Sequence, residues 1–223
     1  MAEYYNEGFW ETAGTNQLDD EDRLDPAFDW LTPSRSSTIV EIGCGPGLLI
    51  GEIKRRSGCT AIGIEPSVMA AQEAATVADR VIVGGWQNLP AEQVDGVVLS
   101  HVLEHLYDPD AALTHIRAAL KPTGTLYVEV PNVRAPSEHK RLSRWLTRVH
   151  IWYFSPASLR FLLARNGFRV VKERHDRYVR FLATPGEATV AMPNERLGVW
   201  ASLARHEALY WPRYTVRRIA AMF

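Results

Sequence analysis

Two groups of residues in this 223-residue chain have types and spacing suited to chemistry. The first is the run Ile39-Val40-Glu41-Ile42-Gly43-Cys44-Gly45-Pro46-Gly47-Leu48, in which a β-branched stretch enters a glycine turn directly. Without a Cβ, glycine lets the backbone approach a ligand closely, and a helix that follows presents unsatisfied N–H groups at its start. The spacing is GxGxG, whereas the dinucleotide fingerprint would place a glycine at position 48, where Leu48 stands. Glu65 lies in a second apolar run, Gly63-Ile64-Glu65-Pro66-Ser67. It falls about twenty residues beyond the first glycine, where an acidic side chain at a strand end accepts both hydroxyls of a ribose. Glu41, just before the loop, disfavours a pyrophosphate and favours a cationic ligand such as a sulfonium that also carries an ammonium group. An ordinary strand-to-helix turn with a solvated Glu65 is the bland alternative.

The second group is Ser100-His101-Val102-Leu103-Glu104-His105. Histidine, with an ordinary pKa of about 6.5, suits a general base at neutral pH. His101 directly follows an apolar run, and Glu104 and His105 come one helical turn later if the segment has coiled. His150, ahead of Ile151-Trp152-Tyr153-Phe154, is the third candidate. His101, His105 and His150 are therefore the candidate catalytic residues, with His105 equally readable as a loop cap. The stretch also matches HxxEH, the inverted zinc-protease motif. That motif needs both histidines on one face of an established helix and a distant third ligand. At a strand end the match is weak, and the sequence reading assigns no metal.

These residues need a scaffold that holds them at one edge. Short β-branched runs alternate with helical stretches, the pattern of an α/β domain around a mostly parallel sheet. Strands are predicted at Ser37–Ile42, Thr60–Glu65, Arg80–Val83, Val94–Ser100, Gly124–Val130 and Arg169–Glu173, with Tyr178–Thr184 as a hairpin partner of the last. Helices are predicted at Leu48–Arg56, Val68–Ala78, Pro109–Leu120 and Pro156–Asn166. His115, on the third of these, is expected to face solvent. In open α/β sheets chemistry sits beyond the carboxyl ends of the strands, which is where the glycine loop, Glu65, Ser100 and His101 all fall.

Hydrophobic residues make up 46% of the chain and charged residues 23%, so a packed core forms and wholesale disorder is excluded. A formal net charge of −1 argues against a surface that grips nucleic acid throughout. No stretch approaches the roughly 18 apolar residues that span a bilayer. Cys44 and Cys59 form no CxxC pair, so a cytoplasmic, reducing compartment is expected.

The motifs together resemble those of class I S-adenosylmethionine-dependent methyltransferases, in particular the small-molecule and glycan group. The matching stretches are Val40–Gly47, Gly63–Ser67, Val97–Leu106, Leu120–Leu126 and Phe154–Leu159 with Gly167-Phe168, and the resemblance covers residues 37–184. It implies a Rossmann-like, doubly wound seven-stranded sheet, mostly parallel with an antiparallel last strand. It also implies S-adenosylmethionine as cofactor, with Gly43, Cys44, Gly45 and Gly47 shaping the loop, Glu65 and Pro66 at the ribose, and Glu41 and Ser100 near the methionine end. One departure stands out. After the third strand the group usually carries a Gly-Asp pair that bonds the adenine amine, whereas this chain has Gly84-Gly85-Trp86-Gln87. Trp86 and Gln87 are the candidates to replace that contact, and packing of Trp86 on the third strand is the alternative.

Three segments lie outside the alternation. Residues 1–36, with Tyr4, Tyr5, Phe9 and Trp10, are expected to form a helical lid, with Tyr5 toward the acceptor. Residues 132–154 form a basic, aromatic insert whose Arg141, Arg144 and Trp152 make an acceptor wall, arginine suiting anionic oxygens and aromatic faces suiting sugar rings. Residues 185–223 read as a C-terminal helical extension of two helices joined near Pro212, basic enough for peripheral membrane contact or a homodimer contact. The expected activity is methyl transfer to a small-molecule or glycan hydroxyl on an anionic, sugar-like acceptor, without nucleic acid. The alternatives are a non-catalytic module that retains the cofactor pocket, or a methyltransferase for a quinone or polyketide.

Overall fold

The computed structural model describes residues 27–91, 93–137, 140–147 and 149–220, with side chains described as far as Tyr210. Tyr5 and the rest of the aromatic N-terminal stretch up to residue 26 lie outside the described residues.

The β-branched runs pair into one seven-stranded sheet: β1 (Thr38–Ile42), β2 (Thr60–Glu65), β3 (Arg80–Val83), β4 (Val94–Ser100), β5 (Leu120–Pro131), β6 (Phe168–His175) and β7 (Tyr178–Pro185). Their order is β3-β2-β1-β4-β5-β7-β6. β1 to β5 pair in parallel, and β7 runs antiparallel to both β5 and β6. The chain therefore winds outward from β1 in one direction and from β4 in the other. The switch point between β1 and β4 is where such sheets leave a crevice at their carboxyl ends.

Among the described residues, six α-helices connect or follow the strands: α1 (Leu48–Ser57), α2 (Val68–Ala74), α3 (Pro109–Ala119), α4 (Leu142–Trp145), α5 (Pro156–Arg165) and α6 (Arg196–Ala220). Their limits are locally encoded. Ser155 caps α5 in a reciprocal capping box with Ser158, and Pro156 occupies the first turn. Gly58 ends α1 in the left-handed conformation, its N–H bonded to Lys54 O. Strand alternation sends Val40, Ile42, Val97, Leu99, Leu126 and Val128 to one face, where α3 and α5 cover them with Leu113, Ile116, Leu159 and Leu163. Ile39, Ala61, Val98 and Tyr127 point to the other, under Ile50 and Ile53 of α1 and Ala74 of α2, with Ala27 and Leu31.

Most limits fall within two residues of expectation, and three differences are larger. α2 stops at Ala74 rather than Ala78, where the Thr76 hydroxyl donates to Glu73 O and the chain turns. β5 begins at Leu120, pairing with Val94 before a register shift, and not at Gly124. The C-terminal segment forms one helix and not two, since α6 runs unbroken through Pro212.

Candidate active site

The cofactor side is a backbone construction. Gly43, Gly45 and Gly47 all take positive φ, +70°, +53° and +89°. The N–H groups of Gly43 and Cys44 donate to Ile64 O at 2.7 and 3.2 Å, which fixes the turn against the end of β2. Gly47 admits no side chain, because a Cβ there would lie 2.8 Å from Ala74 Cα. Glu65 is buried, with Oε2 accepting from Gly45 N–H and Oε1 from Ser67 N–H, both at 2.9 Å. Burial pushes its pKa up, against the pull of those two N–H donors. A carboxylate has about four acceptor sites, so this one keeps acceptor capacity for the hydroxyls of a ligand. Glu41 is buried in the strand that leads into the turn, and Pro66 is half-buried beside Glu65. The Cys44 side chain is structural: it packs into the space left open at Gly63, and burial raises its thiol pKa out of reach of neutral pH.

At the third strand, Trp86 and Gln87 belong to a short 3-10 turn, Trp86–Asn88. Trp86 packs on the core and meets the His115 ring edge-on at 5.7 Å between centroids. His115 is accordingly half-buried under Trp86 and does not simply face solvent. Gln87 is exposed, and Asn88, which the sequence reading passed over, accepts from Gly85 N–H at 3.1 Å and shapes the loop.

The acceptor side is a side-chain network at the ends of β4 and β5. His101 takes a φ of +56°, rare for a residue with a Cβ. Its N–H donates to Glu129 O at 2.9 Å. Its Nε2 lies 3.1 Å from Glu129 Oε1 and its Nδ1 3.3 Å from Glu104 Oε1. An imidazolium donates from both nitrogens, whereas a neutral ring would turn a lone pair toward one carboxylate. His101 is thus clamped between two acids, and this offsets the cost of its backbone conformation, about 1–2 kcal/mol.

Glu129 and Arg180, which the sequence reading missed, hold that clamp. They face each other in the β5–β7 register, and Arg180 Nε donates to Glu129 Oε2 at 2.7 Å with both side chains buried. Tyr127 OH donates to the same oxygen at 3.1 Å, and Arg180 also donates to Asp176 at 2.7 Å. The available signal was a single charge inside each of two apolar strands, Leu-Tyr-Val-Glu-Val and Tyr-Val-Arg-Phe-Leu.

Glu104 and His105 sit in a 3-10 turn, Leu103–His105, and the loop that carries His150 is clipped to it. Ile151 N–H and Trp152 N–H donate to Glu104 O at 2.9 and 3.1 Å, and the Trp152 indole donates to Leu106 O at 2.8 Å. His105 Nδ1 bonds Val149 O at 2.9 Å, and the His105 and His150 rings meet edge to face at 4.8 Å. Glu104 is 1% exposed. Burial pushes its pKa up, but His101 and then His105 outweigh it and the net direction is down. Burial lowers His150 to about 4 against the pull of Glu104, so this ring is neutral at physiological pH. One ligand atom from each of Glu104, His105 and His150 lies within 4.8 Å of the other two. The sequence reading thus named three histidines, and the structure brings all three around Glu104. Ser100 lies beside them at the end of β4.

Of the arginine wall, Arg141 is engaged by α6, where it pairs with Glu207 at 3.4 Å, and Arg144 is exposed on α4. Arg134 pairs with Glu195 at 3.1 Å. His206 Nε2 bonds Lys140 O at 2.9 Å, so α6 straps the insert. Among the described residues no helix is long and apolar enough to cross a membrane.

A family model described as a methyltransferase domain matches residues 16–173. The chain belongs to this methyltransferase family. It is 34% identical over 137 residues to a ubiquinone biosynthesis O-methyltransferase of Rhodopseudomonas palustris (strain TIE-1), covering 54% of each chain. The chain thus spans about half the length of the curated relatives it matches. Among solved structures it resembles the complex of the Haloferax volcanii Trm112 methyltransferase activator with a putative methyltransferase, at TM-score 0.64 and 18% identity over 81% of this chain and 97% of the other. It also resembles magnesium protoporphyrin IX methyltransferase from Synechocystis PCC 6803 with bound SAH, at TM-score 0.58 and 18% identity over 74% and 83%. These likenesses show the class I methyltransferase fold, whose cofactor is S-adenosylmethionine. The glycine turn and the buried Glu65, with acceptor sites to spare, fit that cofactor.

Proposed function

We propose that this chain transfers a methyl group from S-adenosylmethionine to a hydroxyl of a small-molecule acceptor. The observation that carries the reading is Glu65, a buried carboxylate fixed by the N–H groups of Gly45 and Ser67 beside three glycines of positive φ. The cofactor supplies an electrophilic methyl on a positive sulfur. Glu65 holds its ribose, the glycine turn admits its backbone-facing edge, and Glu41 favours its cationic end. At the far side the chain must orient a hydroxyl and draw off its proton. His101 is committed to two carboxylates, so the Glu104, His105 and His150 group serves that proton.

The acceptor is placed by Trp152, whose partly exposed ring borders the group, and by Arg144 on the insert. Arg144 favours an anionic, sugar-like acceptor. The 34% identity to a ubiquinone biosynthesis O-methyltransferase, together with Trp152, favours a second reading, a phenolic hydroxyl on a flat ring. Calorimetry tests the core of the reading: heat with S-adenosylmethionine or its demethylated form supports it, and heat with NAD alone overturns it. With an acceptor panel, Arg144→Glu raises the KM of anionic acceptors and Trp152→Ala that of aromatic ones; the larger effect identifies the class.

A further inference from the structure

We propose that α6 docks flat on an anionic lipid surface, through the face opposite Leu203 and His206. Those two side chains are buried, and they fix which way the helix turns inward. His206 Nε2 bonds Lys140 O at 2.9 Å on that inward side. A helix advances about 100° per residue, so Leu197, Trp200, Ala201, Ala204 and Ala208 share the outward face. All five are exposed, Leu197 at 87% and Trp200 at 70%. Met192, just ahead of the helix, is 79% exposed. Single exposed apolar side chains are ordinary, but a stripe of them along three turns of one helix marks a contact surface.

Charge says what covers it. Arg205 and Arg196 stand at the two borders of the stripe, and both are exposed. Between residues 196 and 220 the sequence carries Arg196, Arg205, Arg213, Arg217 and Arg218 against one acid, Glu207. That acid is drawn inward, accepting from Arg141 and from Leu142 N–H. In the sequence, the spacing that joins Leu197, Trp200, Ala204 and Ala208 leads next to Trp211. Basic borders around a leucine and tryptophan stripe suit a helix that lies in the plane of a membrane interface. Tryptophan settles at the headgroup level, and arginine is attracted to anionic headgroups.

Other occupants fit less well. A second copy of α6 would bring arginine borders against arginine borders, and a stable protein interface takes about 20–30 residues a side. A nucleic acid would match the arginines but leave Leu197 without an apolar partner. A lipid surface asks for no shape complementarity and takes both the apolar centre and the basic borders. The inference concerns a surface away from the glycine turn and stands without the methyltransferase reading.

The test is flotation of the full chain with vesicles of phosphatidylcholine alone and of phosphatidylcholine mixed with phosphatidylglycerol, at low and high salt. Wild type is expected to float with the anionic vesicles and to be released by high salt. Arg205→Ser should weaken binding about fivefold, and Leu197→Ser combined with Trp200→Ser at least about tenfold. No flotation of the wild-type chain, equal flotation with both vesicle types, or binding undiminished in the double variant overturns the proposal. A measurement on wild type alone does not depend on how a variant folds: phospholipids with brominated acyl chains quench its tryptophan emission if the stripe enters the bilayer, and an unquenched bound chain overturns the proposal. Light scattering without lipid supplies the last arm. A dimer that the double variant converts to monomer gives the face to a second copy and overturns the lipid surface.

Discussion

At the carboxyl ends of β1 and β2 the crevice is made of backbone: three glycines, a turn bonded to Ile64 O, and one carboxylate held by two N–H groups. At the ends of β4 and β5 it is made of side chains, a chain running Asp176, Arg180, Glu129, His101, Glu104, His105 and His150, buried at Arg180, Glu129 and Glu104. The two ends approach closely at Gly43, where a Cβ would lie 2.5 Å from Val102 Cγ2. The backbone end tolerates little change in conformation, and of its two buried carboxylates Glu65 has built-in N–H donors. The side-chain end is stable only while every charge keeps its partner, because an unpaired charge in the interior costs several kcal/mol.

The largest expected effect tests that dependence. Glu129→Ala removes the buried partner of Arg180, leaving it the half-exposed Asp176, and is expected to cost about 3–5 kcal/mol in urea unfolding. Glu129→Leu combined with Arg180→Met should recover most of the loss; a single substitution costing under about 1 kcal/mol would break the contrast. At the backbone end, Gly47→Ala is expected to cost about 2 kcal/mol or more, from left-handed strain plus the Ala74 collision. A melting temperature within error of wild type would contradict it. Glu65→Ala should leave the fold standing and weaken cofactor binding by about 1.5 kcal/mol, roughly tenfold in Kd by calorimetry. If binding is unchanged, Glu65 is not the ribose ligand.

The smallest effect lies at neither end. Asp95 accepts from Thr38 N–H and from Lys121 at 2.8 Å each, at the amino ends of the strands. Burial opposes its ionisation, yet Lys121 and the Thr38 N–H prevail and lower its pKa below the ordinary 3.8. Its contribution is therefore full above that value and is lost as pH falls through the lower folded one. Asp95→Asn should cost about 1 kcal/mol or less at pH 7 and nothing once wild-type Asp95 is protonated. A difference that persists in strong acid would assign the effect to shape and not to charge.

The strand limits of β2, β3 and β4 were legible residue for residue, because each is a short β-branched run closed by a turn signal. The seven strands, mostly parallel, and the antiparallel β7 followed from the resemblance; the strand order came from the structure. Where a boundary moved, a side chain had competed with the backbone, as Thr76 did at α2, or a neighbouring strand had extended the pairing, as β4 did for β5. Arg141 illustrates a different failure. Its charge was visible, but Glu207, which engages it, lies 66 residues away on a helix whose packing no local pattern reports.

The sequence by itself determined the glycine turn, the acid at the end of β2 and the histidines after β4, because local conformation and residue chemistry act within a few positions. Tertiary structure alone decided which charges meet. The Glu129–Arg180 pair arises from the register of β5 against β7, and His150 reaches Glu104 only because a distant loop hangs its backbone N–H groups on one carbonyl. Charge interactions depend on distance in space, and that distance is set by how the whole chain packs.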